Sequence, residues 1–163
     1  MQSQKFHPAL EPLKWLVGKW KSIKAEGQFP TIKPFTYIEE LEFESVGQPL
    51  LNYQSRTWHP VTKNPMHFES GFLRIDPGTS NVAFMVSHNF GLVSLEEGNV
   101  IGNTLNLKSK SINRMIFAKE PAVTEITRSY VFCPDSKRIS VVVSMATSNT
   151  ELHEHLIVEY EKV

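Results

Sequence analysis

The sequence predicts an all-β domain of ten or eleven short antiparallel strands behind one short N-terminal helix. Three observations predict it. Apolar and polar residues alternate with period two through most of the chain, the spacing of strands that bury one face. Turn-forming clusters punctuate the alternating runs: Gly47-Gln48-Pro49, Lys63-Asn64-Pro65, Asp76-Pro77-Gly78, Gly102-Asn103 and Pro134-Asp135-Ser136. No amphipathic helices are interleaved with the strands, which argues against a parallel α/β sheet. A meander of this length loses its unpaired edges by closing into a barrel or folding as a sandwich. A closed barrel with this many strands can hold a ligand inside.

The elements follow in order. Over residues 8–18, Leu10, Leu13, Leu16 and Val17 recur at spacings of three and four, a helical start that Pro8 and Pro12 keep short and Gly18 ends. Such a segment suits a plug over one end of a larger structure. Trp20 to Gly27 reads as the first strand. Phe29 to Phe35 carries two prolines, which stiffen it into an extended crossover or a rigid loop at a barrel mouth, with Thr31 as its one hydroxyl. In residues 35–46, Tyr37, Glu39, Leu41 and Phe43 share one face, opposite Ile38, Glu40, Glu42 and Glu44. Further strands are expected over 50–58, 66–75, 81–88, 91–97, 103–110, 113–119, 123–132, 138–146 and 152–162.

Composition narrows the function classes. A length of 163 residues fits one domain over 1–163. Seventeen basic and seventeen acidic residues balance, so neither nucleic-acid nor anionic-membrane binding is expected. The longest apolar run, around Val141, Val142 and Val143, is far short of the roughly 20 residues of a spanning helix. No hydrophobic leader follows Met1 to Lys5, so the expected compartment is the cytoplasm or the nucleus. Cys133, the single cysteine, excludes an internal disulfide and reads as incidental.

Six histidines carry the chemical interest: His7, His59, His67, His88, His153 and His155. The motifs HExxH, GxSxG and GxGxxG and the phosphate-binding P-loop are all missing. His153 and His155 point to one strand face and have three readings. They are surface imidazoles, an H-x-H metal pair completed by a neighbouring strand, or the source of one axial haem ligand. Leu156, Val158 and Tyr160 alternate onto the opposite face, so a histidine reaches the interior only if both faces are covered or a bulge shifts the register. Methionines such as Met85, Met115 and Met145 read first as core filler.

The segments HPALEPLKWLVGKW (7–20), FPTIKPFTYIEE (29–40), VGQPLLNY (46–53), NPMHFESGFLRI (64–75), FAKEP (117–121), VSMAT (143–147) and HLIVEYEKV (155–163) together resemble the nitrobindin family. The likeness covers nearly the whole chain and is nearest to the C-terminal nitrobindin-like domain of animal THAP domain-containing proteins. It implies a ten-stranded antiparallel up-and-down barrel, shaped like the lipocalins and fatty-acid-binding proteins, holding one ferric haem b. It implies reversible nitric oxide binding and isomerisation of peroxynitrite to nitrate, with small molecules as partners and the chain as a monomer or homodimer. Carried over by position, the axial and catalytic ligand is His155 and the haem-contacting threonine is Thr31, while Met66, His67, His88 and Met145 fall on pocket-lining positions. The family's GxWxGxG start is half present: Gly18 and Trp20 are kept, Ser22 and Lys24 replace glycines, and Gly27 follows. The zinc-binding THAP module is not expected before residue 7, and with it goes DNA binding by this chain.

A pocket of Met, Phe and Val side chains would offer few donors to bound dioxygen and would still admit neutral nitric oxide. The main rival is a carrier of an apolar acid that uses Arg56, Arg74 or Arg128 against the carboxylate. A third reading is a cupin-like metal centre built from His67, His153 and His155.

Overall fold

The computed structural model describes residues 6–163, so the leaderless reading of Met1 to Lys5 concerns residues outside those described. The N-terminal segment is a 3-10 helix, Pro8–Leu16. A 3-10 helix repeats every three residues, so Leu10, Leu13 and Leu16 form one line, and all three are fully buried. Each stabilises the fold by about 2 kcal/mol through burial. Val17, expected on the same apolar face, is instead the extended C-cap. Pro12 explains the difference, because it has no amide hydrogen for an α-helical bond to residue 8. The Trp20 indole donates to the Leu16 carbonyl at 2.9 Å and anchors the plug to the sheet.

Eleven strands follow: β1 (Gly18–Phe29), β2 (Ile32–Thr36), β3 (Ile38–Ser45), β4 (Leu50–Trp58), β5 (Pro65–Ile75), β6 (Asn81–His88), β7 (Leu92–Ile101), β8 (Thr104–Arg114), β9 (Val123–Cys133), β10 (Arg138–Thr147) and β11 (Thr150–Lys162). Each neighbouring pair is antiparallel in simple up-and-down order, and β11 pairs back onto β1 to close the ring. β2 and β3 lie on the same side of β1 and act as two halves of one strand, broken at Tyr37, whose amide still donates to the Ala25 carbonyl. Ten strands therefore close the barrel, and the sandwich alternative falls. No helix among the described residues is long and apolar enough to cross a membrane.

Two predicted boundaries change. The Phe29–Phe35 block is a tight hairpin, not a long crossover: Pro30 and Thr31 form the turn, and Pro34 sits where the β1–β2 register shifts and no ladder donor is needed. The strands expected over 103–110 and 113–119 are one strand, β8, followed by a loop. The chain leaves the sheet after Arg114 because that guanidinium donates to the Ala118 carbonyl at 2.9 Å and pairs with Glu120 at 3.0 Å. The loop projects Ile116 and Phe117 into solvent.

The barrel interior is layered. At the plug end, Trp20, Leu41, Phe43, Leu51, Tyr53, Leu73, Phe84, Leu105 and Ile139 make an apolar core. Above them the inward positions turn polar, with Glu39, His88, Ser94, Glu96 and Arg128 all buried. Beyond that layer the barrel opens. β8 and β9 pair only from Thr104↔Val131 to Lys108↔Thr127, after which the strands part and the Ser109 hydroxyl takes the Ile126 amide at 3.0 Å.

Candidate functional site

A cavity of about 230 Å³ occupies the open end, lined among others by Phe29, Thr31, Ile126, Val143, Met145 and His155. A larger depression of about 810 Å³ between β6 and β7 holds no histidine or cysteine and is a shallow groove of Arg74, Asp76, Glu97 and Lys110.

His155 enters the cavity by a register shift. β10 and β11 pair as Val143↔Leu156 and then Ser144↔Glu154, so His155 is the extra residue of a β-bulge. Leu156 and His155, adjacent in sequence, both line the cavity for this reason. The bulge removes the conflict posed by the inward Leu156, Val158 and Tyr160. β1 carries a matching shift between Ser22 and Lys24, which turns Ala25, Gly27 and Phe29 inward. Gly27 leaves room there for the Phe35 ring, which would have to shift for a Cβ placed 2.1 Å from it. Phe29 meets His155 edge-on at 5.4 Å between ring centroids.

The His155 tautomer follows from one contact. Nδ1 lies 2.9 Å from the Gln28 carbonyl, which can only accept, so Nδ1 carries the hydrogen and Nε2 keeps its lone pair. Burial lowers the pKa of His155, the Gln28 bond opposing it, and the ring stays neutral near pH 7. A neutral imidazole with its second nitrogen held by a backbone carbonyl is the form that ligates iron.

The cavity floor is polar, contrary to the expected Met, Phe and Val pocket. His67 and Glu69 are two apart on β5 and share its inner face, and Glu69 lies opposite His88 on β6. His67 Nε2 is 2.9 Å from Glu69 Oε2 and 3.2 Å from His88 Nδ1. Arg128 bridges two carboxylates, with Nη1 at 2.8 Å from Glu69 and Nε at 2.8 Å from Glu96. Burial alone would raise the Glu69 pKa, but Arg128, His88 and His67 outweigh it and hold the carboxyl well below the usual range. Burial pushes His88 down to about 4, with Glu69 opposing. Deeper, the Tyr160 hydroxyl donates to Glu39, whose pKa burial raises to about 7.

The structure thus brings Thr31, His67, His88, Met145 and His155 to one cavity. Met66 does not line it: it points to the other face of β5 and is exposed. The carrier reading loses its anion partner, because the one arginine in the cavity is already committed to Glu69 and Glu96, and Arg56 and Arg74 are exposed. The His67–His153–His155 metal set is not formed. His67 groups with Glu69 and His88, and His153 Nδ1 bonds the Glu151 carbonyl at 3.0 Å. Sequence reasoning did not single out Glu69 or Glu96. Their signal was parity: Glu69 stands two from His67, and Glu96 two from Ser94.

A family model described as THAP4-like, heme-binding beta-barrel domain matches residues 9–162. A rat protein named peroxynitrite isomerase THAP4 is 45% identical over 160 residues, which are 98% of this chain and 28% of that protein. The chain therefore spans under a third of that relative. An Arabidopsis thaliana protein named peroxynitrite isomerase Rv2717c is 35% identical, covering 95% of this chain and 89% of the relative. The crystal structure of Rv2717c from M. tuberculosis superposes with a TM-score of 0.86 at 32% identity, covering 98% of this chain and 99% of that one.

Proposed function

The chain belongs to the THAP4-like, heme-binding beta-barrel family, and we propose that it binds one haem b through His155, binds nitric oxide, and isomerises peroxynitrite to nitrate. The observation that carries this reading is the His155 geometry: a neutral imidazole on a bulge, its Nδ1 hydrogen given to Gln28 and its Nε2 free to ligate, among apolar walls. The donor set fits a haem. Phe29, Ile32, Ile126, Val143 and Leu156 offer apolar faces, and Thr31 and Lys119 add a hydroxyl and a cation suited to the propionates.

Bound there, the haem iron would supply the cleavage of the peroxynitrite O–O bond and the forming of the N–O bond that makes nitrate. The chain does the rest. Gln28 fixes the His155 ring and its proton, so the ligating nitrogen is presented without a search among tautomers. The apolar walls exclude water and keep reactive fragments together until they recombine. His67, the more open of the two floor histidines, holds a proton at Nε2 between Glu69 and His88. Met145 packs as an apolar wall residue. The relatives named peroxynitrite isomerase support the activity. The 163 residues act as one domain on small molecules, in the cytoplasm or nucleus and not on nucleic acid or membrane, as the balanced charge suggests.

Haemin titration of the wild type beside His155→Ala tests the reading. A sharp Soret band at one haem per chain in the wild type, lost in the variant together with haem-dependent peroxynitrite decay, is expected. No specific band in the wild type, or an unchanged band and rate in His155→Ala, would sink it.

A further inference from the structure

We propose that His67 Nε2, Glu69 Oε2 and His88 Nδ1 form a second, non-haem site in the cavity floor that binds a divalent transition ion, zinc being the best fit. The three atoms belong to three side chains and lie 2.9, 3.2 and 3.6 Å from one another. Bonds of about 2.0–2.2 Å at tetrahedral angles place neighbouring donors about 3.3 Å apart. The triangle is therefore already near the size that an ion would impose. Two imidazole nitrogens and one carboxylate oxygen suit zinc, iron(II) or copper(II) more than calcium or magnesium. Three protein ligands with the cavity on the open side leave a coordination position for water or an incoming anion.

Proton positions support the same assignment. The Ser94 hydroxyl donates to Glu96 at 2.9 Å, so its oxygen receives the Nε2 hydrogen of His88, 3.0 Å away. His88 Nδ1 is then a lone pair facing Glu69 and His67. Without a metal, one hydrogen on His67 Nε2 holds the triangle together, shared between Glu69 Oε2 and His88 Nδ1. An ion takes the place of that hydrogen, which moves to Nδ1 of the same ring. The Ser94–Glu96–Arg128 chain behind His88 is the outer hydrogen-bonding shell that ordered metal sites use to orient an imidazole. The charge count favours a cation as well. One buried guanidinium, Arg128, faces two carboxylates, Glu69 and Glu96. Arg128 binds Glu69 through Oε1 and leaves Oε2 for the ion.

The site shares the cavity with His155 but uses other side chains, so it does not require haem. The full chain, as purified and again after haemin loading, is titrated with cobalt(II) and dialysed against buffered micromolar zinc. Expected are cobalt d–d absorption bands and one zinc per chain. Both should be lost in His67→Ala and kept in His155→Ala, and Ser94→Ala should bind zinc about 10- to 100-fold more weakly. His67 is 38% exposed at its side chain, so its truncation leaves the metal-free fold intact, as circular dichroism will verify. No zinc uptake by the wild type overturns the site. So does uptake that survives in folded His67→Ala, or that is lost in His155→Ala instead. A missing Soret band leaves this site standing, and missing zinc leaves the haem reading standing.

Discussion

Glu39 is a buried carboxyl whose hydrogen-bond partners, Tyr160 and Ser55, are neutral hydroxyls. Burial disfavours its charge and raises its pKa from 4.5 to about 7. The folded state therefore holds the proton more tightly than the unfolded chain. The stability this gives is complete below about pH 4.5 and is lost as pH rises through 7, by about 3 kcal/mol in all. Glu39→Gln removes the titration, so its stability relative to the wild type should rise by about 2–3 kcal/mol between pH 5 and pH 8, measured by urea unfolding at each pH. A constant difference across that range refutes the assignment. Tyr37 gives a second expectation. Its hydroxyl is buried with no partner among the described residues, so Tyr37→Phe should be neutral or stabilising by thermal melt. At this scale the sequence was partly legible. Alternation put Glu39 on the inner face with Tyr37, Leu41 and Phe43, and the inner position is where it is found. Glu69 and Glu96 obey the same parity but were passed over, because an acid on an inward position makes sense only once Arg128 on a distant strand is known to meet it.

The plug and the last strand show what an element's own residues can and cannot specify. The leucine line over Pro8–Leu16 is local, and so its presence could be read directly; its 3-10 pitch came from Pro12. Leu13→Ala should cost about 3 kcal/mol in chemical denaturation, because the sealed plug has little freedom to collapse into the void. A loss under 1 kcal/mol would show that the plug is dispensable. On β11 the sequence exposed a contradiction, with histidines and aliphatic residues claiming the same interior. Pairing with β10 resolves it by inserting one residue, His155. The contradiction was visible in one strand, but its location needed two. The end of β8 was misjudged for a similar reason. Its last residues alternate like a strand, yet Arg114 finds its acceptors in the following loop and the ladder to β9 stops earlier.

At the scale of the whole barrel, closure by β1–β11 and the leucine plug leave one open end, and the polar layer separates that opening from the apolar core. The ring of strands was legible because each hairpin is local in sequence. The polar layer was not, since its members come from β3, β5, β6, β7 and β9. One feature of the wall sets how the molecule handles whatever it carries. Where β8 parts from β9, the backbone amides that face the seam lack cross-strand partners, while their neighbours facing β7 and β10 keep theirs. That seam should breathe on its own, without unfolding the plugged half. Deuterium uptake at the seam-facing amides of 109–114 and 123–125 should then run well ahead of uptake at the seam-facing amides of 104–108 and 127–131. A bound ring braced against Val123 and Ile126 should slow it. Uniform protection along both strands would show that the wall is rigid. If the seam does open by itself, the barrel trades its cargo at a speed set by a few hydrogen bonds at one slit, and can hand it on while remaining folded.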